Sequence, residues 1–565
     1  MNSRRILLLA PVATALAFPA YSQCDRGKLF ASDPGGGDRF GGDVTVQGAI
    51  LMVGARGADG VEGAANAGAA YVFELVGSSW QQTQKLVVSE ATHGQHCFGG
   101  HVFLHDEIAF IANPCDRDPL GGIVHGSLYV FEKGPGGWER VARLVHSTTS
   151  EDGFASDLWA FGSVLIVGAD LADGPQTDSG AAYVFESTES GWVERQELLA
   201  SDGETDDRFG GAVALEGSWA IVGALGEDGL DIAIGAAYMF EFDGTGWVER
   251  QKLRASDAGR TNRFGTAVTI DGNRVLIGAD GATGVVTDSG AAYVFQYDGT
   301  DWVETAKLFA SDGMSSDDFG HRVALQGDRA FVSAPHAAGA AGIRAGAVYV
   351  FEYDGSQWSE VAKLTGMDGE LGDEYGFGLA VDGTTVVVGA DEVSDAATDA
   401  GAVYVLSYPT AGTPYCFGTG CPCGNDDPDA GCASSTGAGA LLEGCGSTSV
   451  TDDDLVLSVT GMPPNQSGIV YMGAGQLALP FGDGLRCVGA GGAGIFRYFP
   501  VQSSGARGAI VLGPAIVAHS LARFPSAGQI GPGDTWNFQG WHRDPGGPCG
   551  FAFNLSNAVA VTFSP

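Results

Sequence analysis

The chain has 565 residues, of which 44% are apolar, and it carries 29 Lys and Arg against 68 Asp and Glu for a net charge of −39. That apolar content can fill ordinary cores over a length sufficient for about two or three domains, which excludes a disordered chain. The charge repels phosphate backbones and anionic bilayers, so nucleic acid is not an expected partner.

In MNSRRILLLAPVATALAFPAYSQC, Arg4 and Arg5 precede the apolar run Ile6 to Phe18, and Ala20 and Ser22 suit the small-residue positions of a cleavage site. Residues 1–22 read as an export signal. No later apolar run reaches the roughly 18 residues that a membrane-spanning helix needs. The mature chain is therefore expected outside the reducing cytoplasm, secreted or at the cell surface, with its ten cysteines bridged rather than free.

From residue 23 to 408 an aromatic residue opens a unit at Phe40, Phe98, Phe154, Phe209, Phe264, Phe319 and Tyr375, with spacings of 55 to 58 residues. The fifth unit shows its four parts well: FGTAVTIDG, NRVLIGAD, GAAYVFQYDG and DWVETAKLFASD. Alternating apolar, β-branched and aromatic residues predict four strands, and turns such as Glu216-Gly217, Asp271-Gly272 and Asp298-Gly299 predict antiparallel hairpins. Seven four-stranded meanders in series bury their edges when they close radially, so an all-β, seven-bladed β-propeller is predicted. The seventh unit stops after GAVYVLSY without its fourth strand, and the missing KLFASD stands at the N-terminus, Lys28 to Asp33. An N-terminal latch strand is therefore expected to close the ring.

With FG at each start and GA, SAP or ANP closing the second strand (Gly223-Ala224, Ser333-Ala334-Pro335, Ala112-Asn113-Pro114), the unit resembles the FG-GAP repeat of the integrin alpha-chain propeller and its secreted bacterial relatives, over about residues 28 to 406. The resemblance implies extracellular recognition or adhesion, often aided by calcium, and names no ligand. The calcium loop of the best-known version sits between first and second strands. Here those turns are too short to wrap an ion, so calcium, the one cofactor considered, would have to use another edge.

Loops from fourth strand to next unit and from second to third strand share one rim. Asp202, Glu204, Asp206 and Asp207, and Asp368, Glu370 and Asp373, are the candidate cation ligands there; turn chemistry and solvation are the alternative reading. The second unit holds six of the ten histidines, with His93, His96 and His125 as candidate transition-metal ligands. A disulfide between Cys97 and Cys115, on the two long loops of that unit, accounts for its cysteines without a metal. In the sixth unit APHAAGAAGIRAG carries His336 and Arg344 and no carboxylate, a candidate notch for an anionic group, or ordinary loop variation. No nucleophile elbow, HExxH or phosphate loop occurs, and no catalytic residue is assigned.

After the linker PTAGTP, residues 409–565 contain seven cysteines, four of them within CFGTGCPCGNDDPDAGC. Irregular spacing fits a disulfide knot better than a zinc ribbon. Cys24 is expected to pair with a linker cysteine such as Cys416, locking the ring. Segments DLVLSVTGM, SGIVYMGAG, GAIVLGPAIV, TWNFQGWHRD and AVAVTFSP alternate as strands, which predicts a small cysteine-rich β-sandwich-like domain. Trp536 and Trp541 are read as core aromatics, with sugar stacking as the alternative. The function expected is that of a monomeric, non-catalytic propeller binding an extracellular protein or glycan through the long-loop rim. A polysaccharide lyase or hydrolase with axial carboxylates and a structural envelope component are the alternatives.

Overall fold

A computed structural model describes residues 24–60, 65–76, 79–88, 97–116, 126–146, 152–227, 233–338, 344–366, 368–408, 412–428, 430–451, 453, 455–505 and 508–565; residues 1–22 lie outside it. Through residue 408, the described residues form seven four-stranded antiparallel sheets. The fourth sheet is representative, with strands Phe209–Glu216, Trp219–Ala224, Ala236–Phe242 and Trp247–Leu253. Its first turn is the two-residue Gly217-Ser218, between the paired Glu216 and Trp219, and Gly217 takes a φ of 59° that favours glycine. The seventh sheet, Gly378–Asp382, Thr385–Ala390 and Ala402–Ser407, receives Cys24–Leu29 as its outer strand. That strand ends at Leu29, so Phe30 to Asp33 is loop rather than strand.

Second and third strands are buried on both faces, which is why they read as unbroken apolar runs such as WAIVGA and AAYMF. Each sheet is covered by a neighbour on either side. The opening Phe is fully buried and packs edge-on against a Tyr of its own sheet, as Phe209 does against Tyr238 with centroids 5.4 Å apart. Its backbone also bridges to the glycine before the third strand of the preceding sheet. Gly68 meets Phe98, Gly180 meets Phe209, Gly346 meets Tyr375, and Gly401 of the seventh sheet meets Phe40 of the first. A Cβ on Gly180 would overlap the Phe209 carbonyl, so these glycines permit the approach of two backbones. The repeated sheets have the arrangement of a β-propeller.

Residues 412–565 form a separate core. A six-stranded sheet contains Thr413–Tyr415, Phe553–Thr562, Thr535–Arg543 and Ser467–Gly473, and a three-stranded sheet contains Leu441–Cys445, Val456–Thr460 and Ile510–Leu512. Leu442, Leu457 and Val459 of the smaller sheet share a core with Val470, Phe538, Val559 and Val561 of the larger. Two sheets packed face to face with inward alternation make a sandwich-like domain. The stretch GAIVLGPAIV is strand only to Leu512; beyond Pro514 the chain turns into the helix Ile516–Arg523. Asp453, remote in sequence, accepts hydrogen bonds from the Val517 and Ala518 amides at 2.7 and 2.8 Å and so fixes the helix N-terminus.

Disulfides join Cys97 to Cys115, Cys416 to Cys487, Cys421 to Cys432 and Cys423 to Cys549. The expected pairing of Cys416 with Cys24 is thereby corrected. Thr413–Tyr415 pairs with residues 558–560, which sets Cys416 beside the strand Gly484–Gly489, and Tyr415 donates its hydroxyl to the Cys487 carbonyl at 3.2 Å.

Candidate functional site

The acidic rim loops hold the sheets together. Asp202 accepts from the Tyr238 hydroxyl at 2.8 Å and from Lys252 at 2.7 Å, both in the sheet that follows. The same clasp recurs as Asp33 with Tyr71 and Lys85, Asp257 with Tyr293 and Lys307, and Asp312 with Tyr349 and Lys363. Asp368 repeats it with Tyr404 and with Lys28 of the N-terminal strand. Although burial opposes it, hydrogen bonding by Lys and Tyr holds the Asp202, Asp257, Asp312 and Asp368 carboxyls below the usual value.

The remaining rim candidates divide between turn-forming and solvated groups. Asp207 and Asp373 are buried and each accepts a backbone amide three residues back, from Glu204 at 2.7 Å and from Glu370 at 2.6 Å. Burial raises the Asp207 carboxyl to about 6. Glu204, Asp206 and Glu370 point to solvent. The seven turns between first and second strands are all two residues long, so the family's calcium loop has no counterpart there. His93, His96 and His125 lie outside the described residues.

His336 is not an open anion receptor. Its ring stands 2.8 Å from Asp318 and 3.3 Å from Glu374, and these hydrogen bonds raise it to about 9, so the notch expected from the sequence is filled by the protein's own carboxylates. Arg344 is exposed, with its backbone at a φ of 62°.

The second cluster lies on the axis. The fourth residue of each FG segment varies from unit to unit: Asp43, His101, Asp157, Ala212, Ala267, Arg322 and Gly378. All but Gly378 line one cavity of about 460 Å³, bounded by first strands from every sheet. His101 Nδ1 stands between two carboxylates, 3.8 Å from Asp43 and 3.9 Å from Asp157. Each carboxylate is anchored by an amide of the next sheet at 2.7 Å, Asp43 by Val102 and Asp157 by Val213.

Burial raises Asp43 to about 7 against the pull of Arg322, and raises Asp157 to about 6. Burial and Arg322 lower His101 to about 3, so its imidazole is neutral at physiological pH. The layer thus sets two carboxyls whose hold on a proton is raised by burial beside a neutral imidazole and a guanidinium.

Two residues further along these strands, on the same face, Phe103 and Trp159 lie with ring centroids 5.0 Å apart. They give the polar layer an aromatic neighbour, while Ala324 and Ala380 leave room across the cavity. Donors, acceptors and a ring face together suit a polyhydroxylated ligand, and the volume falls within the range of small-ligand sites, about 300 to 1,000 Å³. The sequence reading assigned no residue to this place. A signal is present in the sequence: at the fourth position of the aligned FG segments the residue changes from Asp to His to Ala to Arg, and three of those residue types are charged or titratable.

The FG-GAP repeat profile matches residues 25–73, 138–185, 192–240, 247–295, 302–351 and 358–406, more than half the chain. The chain belongs to the FG-GAP repeat family. Each matched segment begins in an outer strand and ends in the third strand of the next sheet, so the first match starts within the N-terminal strand. The interval 74–137 is unmatched, and it holds most of the second sheet. There Asp116 accepts from the Tyr129 hydroxyl and from Arg143, and a disulfide joins Cys97 to Cys115. No curated protein matches the chain.

Proposed function

We propose that the protein is a secreted, seven-bladed FG-GAP propeller, latched by its N-terminal strand, that binds an extracellular glycan or protein through its axial cavity without chemical turnover. The observation that carries this reading is the contrast in occupancy. The rim aspartates of the clasps and turns hold lysines, tyrosines and amides of the protein itself and the other rim acids point to solvent, whereas Asp43, Asp157, His101 and Arg322 face a cavity beside Trp159. Ring closure is supported by the Gly401–Phe40 bridge and by Lys28 entering the Asp368 clasp. Export is supported by the N-terminal pattern and by the disulfides. A glycan is favoured over a flat protein epitope because the polar groups converge in a concavity.

A second reading, a polysaccharide hydrolase or lyase, is favoured by one observation. Asp43 and Asp157, raised to about 7 and about 6, are poised as an acid and a base. An array of glycans and matrix proteins, run with a reducing-end assay on each glycan bound, separates the two. Binding without product supports the first reading; product formation that Asp157→Asn abolishes replaces it with the second.

A further inference from the structure

Away from the propeller, two carboxylates are buried together without a counter-charge. Asp483 occupies the turn between strands Gly475–Phe481 and Gly484–Gly489, and Asp544 follows strand Thr535–Arg543; both are 0% exposed. Asp483 Oδ1 accepts the Phe551 amide at 3.2 Å and Asp544 Oδ2 accepts the Ser435 amide at 3.0 Å. The other oxygens, Asp483 Oδ2 and Asp544 Oδ1, have no hydrogen-bond partner.

Both side chains face one point beside Gly547. A Cβ built on that glycine would overlap Asp483 Oδ2 and stand 2.9 Å from Asp544 Oδ2. Among the described residues, no Lys, Arg or His nitrogen lies within 4.0 Å of either carboxylate. His542, two residues before Asp544, is fully buried, and neither of its ring nitrogens has a hydrogen-bond partner. The Cys423–Cys549 disulfide lies against Asp483 and clamps the loops that enclose the site.

Burying one unpaired carboxylate is costly, and placing a second beside it adds repulsion. We infer that Asp483 and Asp544 bind a divalent cation of the calcium class, which pins the hairpin turn at Asp483, the loop 544–552 and the cysteine-rich loop 421–435 to one another. Charged oxygens in a rigid, disulfide-clamped concavity suit a hard cation. Millimolar calcium is ample outside the cell, where sites of modest affinity fill. The inference does not rest on the axial ligand.

The test uses the full chain, stripped with EDTA and titrated with calcium chloride alone by calorimetry and by thermal melting. A stoichiometric binding event is expected, with a rise in melting temperature, and both are lost in Asp544→Asn and in Asp483→Asn but kept in Asp206→Asn on the rim. Absence of binding to the wild type at millimolar calcium overturns the inference, as does undiminished binding in a folded Asp544→Asn variant. Should both variants fail to fold, hydrogen exchange of the wild type decides. Calcium must slow exchange at residues 482–484 and 544–552, and unchanged exchange there contradicts the site.

Discussion

Asp202, in a rim loop, and Asp157, within the strand Phe154–Phe161 at the axis, end in opposite electrostatic states. Asp202 meets a lysine and a tyrosine hydroxyl, and its carboxyl is held below the usual value. Asp157 meets one amide and a walled cavity, and burial lifts it to about 6. An acidic composition therefore says little about where a ligand binds. The decisive matter is whether a charge is already partnered inside the protein, as the clasp and turn aspartates are, or freely solvated, as Glu204, Asp206 and Glu370 are.

The largest expected effect breaks the frame that both rings share. Gly210→Ala forces a side chain into a backbone with φ 97° against the Ala181 carbonyl, and should cost roughly 3 kcal/mol or more in denaturant unfolding. The third unit reads FA rather than FG, and Ala155 sits at the equivalent position with φ 71°. Ala155→Gly should therefore stabilise by about 1 kcal/mol, the strain of a left-handed alanine less the added chain entropy of glycine.

Breaking one clasp should be milder. Asp202→Ala leaves Lys252 with Glu227 and frees the Tyr238 hydroxyl. Because the Asp202 side chain is 53% exposed and screened, the loss in a urea melt should be about 1 kcal/mol, with ligand binding unchanged.

The smallest effect is one of sign. The clasp aspartates are depressed, so their stabilisation is present above the unfolded value of 3.8 and fades as pH falls through their lower folded values. Asp43 and Asp157 are raised to about 7 and about 6. Their contribution is complete below pH 3.8 and is lost as pH climbs to about 7. Urea melts of Asp43→Asn/Asp157→Asn should show a flatter decline than wild type between pH 4 and 7. An unchanged slope would mean that the axial carboxyls are not perturbed.

The repeat was legible because its physics is local. Alternation, turn residues and the spacing of the opening aromatics each constrain a few neighbours, and KLFASD at the N-terminus could be matched to the missing outer strand. The rim acids were legible as residues but not as clasps, because Asp202 finds Tyr238 and Lys252 at separations of 36 and 50 residues. The axial layer needs all the repeats aligned at once, since no single FG segment shows that Asp43, His101 and Asp157 converge. Cys416 was misassigned because strand pairing between residues 413–415 and 558–560, unreadable from spacing, decides its neighbour.

Ligand affinity, measured side by side for wild type, Asp157→Ala and Asp202→Ala on the best-binding member of the glycan and matrix array, bears most directly on the axial proposal. It should fall at least tenfold in Asp157→Ala and stay within twofold of wild type in Asp202→Ala, about 1.4 kcal/mol against a few tenths. Full affinity in a folded Asp157→Ala variant, with loss in Asp202→Ala, would return the binding site to the rim.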